Sequence, residues 1–159
     1  MKLMKLQANS GFTLFEIVIV IGIIVLVSAL LLFPLSSFRV EAILDGAAEE
    51  TLALLHEARE RTVSSDGASR YGVYFESNQV TLFKGASFPG AGDANNKVIF
   101  LNSRLALSTS AGLASGAIFE RLTGALANGG TVTISLISDN TKQRVIEISA
   151  AGLASLVKN

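Results

Sequence analysis

Cysteine is absent from the 159 residues, so no disulfide staples the chain, and cysteine usage says nothing of the redox compartment. Net charge is absent too, thirteen lysines and arginines balancing thirteen acids. With no basic field to hold a phosphate backbone, no nucleic-acid partner is expected. His56 is the single histidine, and no Ser-His-Asp or Cys-His set is suggested by the sequence. It falls between Leu55 and Glu57, within helical reach of Glu60, and reads as a flank position of an amphipathic helix. The glycine-rich stretch Gly85 to Gly92 lacks the spacing and the lysine of a phosphate-binding loop. The expectation is a protein that is not an enzyme and takes no cofactor.

What the chain does have is an uncharged apolar run, Ile17 to Leu35. Before it come Lys2 and Lys5, the polar spacer Gln7-Ala8-Asn9-Ser10, then Gly11 and Phe12-Thr13-Leu14-Phe15-Glu16. As a helix the run would cover roughly 28 Å, about one hydrocarbon core. It is too long for a removable secretory signal, whose apolar part is about 7 to 15 residues. A plain signal anchor, with Lys2 and Lys5 holding the amino end in the cytoplasm, leaves Gly11 and Glu16 unexplained. A carboxylate at the edge of hydrocarbon costs on the order of a few kcal/mol without a partner. Cleavage after Gly11 supplies one, because Phe12 becomes an amino terminus four residues before Glu16. Ammonium and carboxylate then share one membrane-edge layer, within a subunit or between staggered neighbours. Losing residues 1–11 also removes Lys2 and Lys5, which leaves a formal side-chain balance of minus two.

Gly11-Phe12-Thr13-Leu14-Phe15-Glu16, with its basic leader and apolar run, resembles the class III signal of type IV pilins and type II secretion pseudopilins. The resemblance implies that a prepilin peptidase cuts between Gly11 and Phe12 and N-methylates Phe12, and that Glu16 aids filament assembly. It implies as partners the peptidase, other pilin or pseudopilin subunits, an inner-membrane assembly platform, and membrane lipid before assembly, with an ATPase elsewhere. The implied location is the inner membrane, single-pass, with the amino terminus cytoplasmic and the carboxy-terminal domain extracytoplasmic, and afterwards a filament. The missing cysteines depart from many major pilins, which close their carboxy-terminal region with a disulfide.

Pro34 removes a backbone donor and crowds the carbonyl four residues earlier, so it predicts a helix kink where the helical pattern resumes. Related pilins usually place this proline one position earlier. Val40, Ile43, Leu44, Ala47, Thr51, Leu54, Leu55, Ala58 and Thr62 recur at intervals of three and four, with Glu41, Asp45, Glu49, Glu57 and Glu60 largely elsewhere. Phe12 to about Val63 thus reads as one long bent helix; the alternative is two helices joined at Leu35-Ser36-Ser37. Ser64-Ser65-Asp66-Gly67 is the stop. The expected organisation is a leader over 1–11, a transmembrane or filament-core helix half over 12–35, an amphipathic half over 36–64, and a β-rich part over 65–159.

From Arg70 the period becomes two. Tyr71-Val73-Phe75 and Val80 to Phe83 predict a hairpin, and Gly85 to Lys97 a loop. Strands are expected at Val98 to Leu101, Arg104 to Ser108, Ala117 to Arg121, Thr131 to Ser138, Gln143 to Ser149 and Leu153 to Val157, with Asp139-Asn140-Thr141-Lys142 as a turn. The fold class is α+β, a long amino-terminal helix packed against antiparallel β-sheet. Ala117 to Gly124, Gly130 to Ile134, Arg144 to Ile148 and Ala151-Gly152-Leu153 are similar to the ending of H-type minor pseudopilins and related fimbrial minor pilins. Asp93, Asn95 and Asn96, or Asp139 and Asn140, offer oxygens of the kind calcium takes; the same residues suit turns without metal, and no metal is assigned. The leading functional reading is a structural minor pilin or pseudopilin of a type IV filament system. The alternatives are a single-pass anchored binding module that does not polymerise, and an anchored enzyme.

Overall fold

The computed structural model describes residues 11–32 and 35–157, with side chains over 11–29 and 39–157. Lys2, Lys5 and the expected kink at Pro34 lie outside them. The chain divides into two compact units, Met1–Arg39 and Val40–Asn159.

In the first unit a helix, α1, spans Leu14–Leu32. Its isoleucines and valines give it no preferred face, and every described side chain on it is exposed. Glu16 occupies the first turn, so the described apolar part, 17–32, covers only about 24 Å. Among the described residues no helix is long and apolar enough to cross a membrane.

A second helix, α2, spans Leu35–Val63. Leu35, Ser36 and Ser37 are already helical, so the division between α1 and α2 does not fall at those three residues. From Val40 onward α2 carries the expected stripe: Leu44, Ala47, Ala48, Thr51, Leu54, Leu55, Ala58 and Thr62 are buried. It stops where predicted. Ser65, Gly67 and Ala68 take φ of 56°, 57° and 52°, the left-handed region that no helix can continue through.

Eight strands follow: β1 (Tyr71–Phe75), β2 (Gln79–Lys84), β3 (Lys97–Phe100), β4 (Leu105–Thr109), β5 (Ala117–Ile118), β6 (Gly130–Leu136), β7 (Asp139–Ile148) and β8 (Ala154–Val157). They form two sheets rather than the single one expected, ordered β3-β2-β1-β5 and β4-β6-β7-β8, with every pairing antiparallel. One apolar core joins the stripe of α2 to both sheets: Leu44, Leu54 and Leu55 share it with Val73 and Leu82 of the first sheet and Ile134 and Ile146 of the second.

Three local expectations are corrected. The strand expected over Ala117 to Arg121 pairs only through Ile118, because Leu122 and Gly124 take φ of 71° and 65° and turn the chain against α2. The β6–β7 turn is Ile137-Ser138, with Leu136 paired to Asp139. Val132, Ile134 and Leu136 face the core, and β6 ends with the last of them, two residues short of the expected Ser138, so the chain turns before it reaches Asp139-Asn140. The Gly85 to Lys97 segment is a covering layer rather than a plain loop. Phe88 stacks on Tyr74 at 4.2 Å between centroids and meets Phe83 edge-on at 5.5 Å, burying the outer face of the first sheet. Gly72, paired with Phe83, makes room for it: a Cβ there would lie 2.6 Å from the Phe83 ring.

Candidate processing and assembly site

Gly11, Phe12 and Thr13 precede the first turn of α1 without regular structure, and all three are exposed. The Gly11–Phe12 peptide bond therefore lies in non-helical chain, the form in which a protease active site can engage it. A Cβ built on Gly11 meets nothing within 4 Å, so the fold itself does not require glycine here.

Thr13 begins the helix. Its carbonyl accepts the N–H groups of Glu16 at 3.1 Å and Ile17 at 3.3 Å, and its Oγ1 accepts the Glu16 N–H at 3.3 Å. This is N-capping by a hydroxyl, with a glutamate at the third helical position. The Thr13-Leu14-Phe15-Glu16 spacing carries that signature in the sequence, where Glu16 is assigned only an assembly role. Glu16 thus has a duty inside its own helix: its carboxylate sits in the first turn, where the helix dipole favours negative charge by about 0.3–1 kcal/mol. A free ammonium on Phe12 would add positive charge at the same pole, and Glu16 would offset it. Phe12 and Phe15 are 79% and 72% exposed.

The remaining candidates lie on the second unit. His56 is exposed, and the ion pairs among the described residues do not include one with Glu60. Asp93 Oδ1 accepts from the backbone N–H and the side-chain amide of Asn95 at 2.8 and 2.9 Å. Asp139 Oδ1 accepts from the Thr141 hydroxyl and N–H at 2.6 and 3.1 Å. These bonds hold both carboxylates below the usual carboxylate range, the backbone bond leading at Asp93 and the hydroxyl bond at Asp139. Both acids thus serve their own turns, and among the described residues no three His, Cys, Asp or Glu side chains gather as a metal site. Arg144 Nε meets Asp45 at 2.6 Å and Lys97 meets Glu57 at 2.7 Å, surface pairs that link both sheets to α2; Arg61 meets the same Glu57 at 2.7 Å within the helix.

Several solved structures are similar to this fold. The type IV minor pilin FimU of Pseudomonas aeruginosa matches with a TM-score of 0.60 at 23% identity, over 76% of this chain and 92% of its own. The minor pseudopilin EpsH from the Type 2 Secretion System of Vibrio cholerae matches with a TM-score of 0.55 at 16% identity, over 72% of this chain and 95% of its own. The chain has the pilin fold. No protein-family model and no curated protein matches the sequence. At such identities the likeness establishes the fold.

Proposed function

We propose that the protein is a structural, non-enzymatic minor pilin or pseudopilin subunit of a type IV filament system, processed by a prepilin peptidase and assembled through its amino-terminal helix. The observation that carries this reading is an exposed, non-helical Gly11–Phe12 bond directly ahead of a capped helix whose apolar side chains are exposed on every side. A helix apolar all round requires lipid or other helices around it.

Lys2 and Lys5 keep the leader cytoplasmic while the apolar run, extending to Leu35, enters the inner membrane and the β-rich unit lies outside the cytoplasm. The peptidase cuts after Gly11 and methylates Phe12. The subunit then leaves the bilayer by exchanging lipid contacts for helix contacts at an assembly platform, which keeps the apolar area covered throughout. Glu16 meets the Phe12 ammonium of a neighbour during that exchange.

Mass spectrometry of the amino terminus, on protein from the producing cell's membranes, tests the reading. N-methyl-phenylalanine at position 12 is the expected result. An intact Met1 on functioning protein would remove the polymer and leave a tethered β-rich module.

A further inference from the structure

Two shallow grooves flank the start of α2 in the second unit, the first mainly apolar and the second of mixed lining. One, of about 380 Å³, is lined by Val40, Arg104, Leu136 and Ile137; the other, of about 310 Å³, by Ile43, Glu50, Phe100 and Leu101. Each has a large side chain standing in solvent at its rim, Phe100 at 73% exposure and Ile137 at 60%. The loops that carry them are built rather than loose. The Asn102 side chain accepts the Arg104 N–H at 3.0 Å, and the Arg104 carbonyl accepts the Ile137 N–H at 2.9 Å. The connection from β3 to β4 and the turn from β6 to β7 therefore form one tied rim that holds Phe100 and Ile137 out.

What covers this rim follows from the chain length behind it. Val40 stands five residues after Leu35, where the uncharged run ends. Five residues reach at most about 17 Å however they are folded, so the start of the second unit stays close to the headgroup layer that borders the hydrocarbon core. Aromatic and aliphatic side chains at that depth bury their area in the interface. The nearby exposed charges are of both signs, Arg39 and Arg104 with Glu41, Glu49 and Glu50, with no basic excess to seek anionic lipid, which favours an apolar contact.

We propose that the rim of Phe100 and Ile137 is a lipid-contacting surface. It rests the globular unit on the bilayer that holds the apolar run, and it is released when the subunit enters a filament. This rests on the membrane reading above, and the experiment separates the two.

The chain has no tryptophan, so single tryptophans report without background. Full-length protein carrying Ile24→Trp, Phe100→Trp, Ile137→Trp or Leu122→Trp is placed in phosphatidylcholine vesicles with bromines at graded acyl depths. Leu122 is the remote control: its turn packs through Gly124 on Val63, the far end of α2. The expected result is quenching at 24 by deep bromines, quenching at 100 and 137 by shallow bromines, none at 122, and no change on adding anionic lipid. Quenching at 24 but not at 100 or 137 would overturn the proposal and leave the membrane reading standing. No quenching at 24 would sink both. Equal quenching at 100 and 122 would deny any specific surface. Emission at 100 and 137 that blue-shifts with protein concentration and ignores bromine would assign the rim to a second copy of the chain and overturn the lipid contact.

Discussion

Thr62 Oγ1 accepts the backbone N–H of Tyr71 at 3.0 Å. The same hydroxyl donates to the Ala58 carbonyl at 2.7 Å, so one side chain satisfies a buried donor of β1 and ties the end of α2 to the first strand. Thr62→Val keeps the shape and removes both bonds. The expected loss is about 1–3 kcal/mol, the cost of an unpaired buried amide, with Thr62→Ser recovering most of it; urea denaturation of the protein in detergent measures both.

Tyr71 also sets an alkaline limit. Burial first, then its hydrogen bond to Asp66 at 3.1 Å, holds the phenol above its ordinary value, and the Arg61 guanidinium 5.7 Å from the ring opposes this. The fold keeps the proton after the unfolded chain starts to lose it. The stabilisation is therefore full below the unfolded value of about 10 and is lost as pH rises through the higher folded one. Tyr71→Phe should flatten that alkaline decline while costing about 1 kcal/mol at neutral pH; denaturation midpoints followed from neutral to strongly alkaline pH show whether it does.

Two glycines should respond to alanine with opposite sign. Gly152 has φ of 76°, and a Cβ there would overlap the Gly124 carbonyl oxygen, so Gly152→Ala should cost at least about 2 kcal/mol. Gly46 lies within α2 with nothing near a built Cβ, so Gly46→Ala should stabilise by about 0.5–1 kcal/mol. Melting temperatures of the two variants, measured together, test the pair.

Processing should depend on size at position 11. Gly11→Ala should still yield a mature Phe12 terminus, whereas Gly11→Trp should accumulate full-length precursor on an anti-protein blot. A normal Phe12 terminus in the bulky variant would count against cleavage at this bond.

Charge, rather than capping, should govern assembly at position 16. Glu16→Gln keeps the N–H that Thr13 accepts and removes the carboxylate. It and Glu16→Ala should insert and be processed but enter filaments poorly, as read from sheared filament fractions; normal incorporation would remove the assembly role.

The stripe of α2 was legible because its burial follows helical period without exception from Leu44 to Thr62, and the β1–β2 hairpin because the alternating Tyr71, Val73 and Phe75 are parted by Ser77-Asn78 from the apolar Val80 to Phe83. The splitting of the strands into two sheets was not, since alternation marks a strand's faces and not its neighbours. Phe88 gave no periodic signal, being one aromatic in a glycine-rich segment, yet it packs on Tyr74 and Phe83 of the first sheet. Asp139 and Asn140 advertise a turn but serve an irregularity in β7, because core-facing Leu136 fixes where β6 ends. At the amino end the residues Gly11, Phe12 and Glu16 were readable by resemblance, while the part played by Thr13 lay in a spacing that the same resemblance overshadowed.

The featureless circumference of α1 limits what it can specify. Bundled with copies of itself, a cylinder equally greasy at every azimuth spins and slides almost freely, and a single acidic group near one tip sets height but not angle. In the filament proposed above, the rotational setting of each protomer would then fall to the faces of its folded β-rich body, so variants there should alter helical twist while leaving axial rise intact.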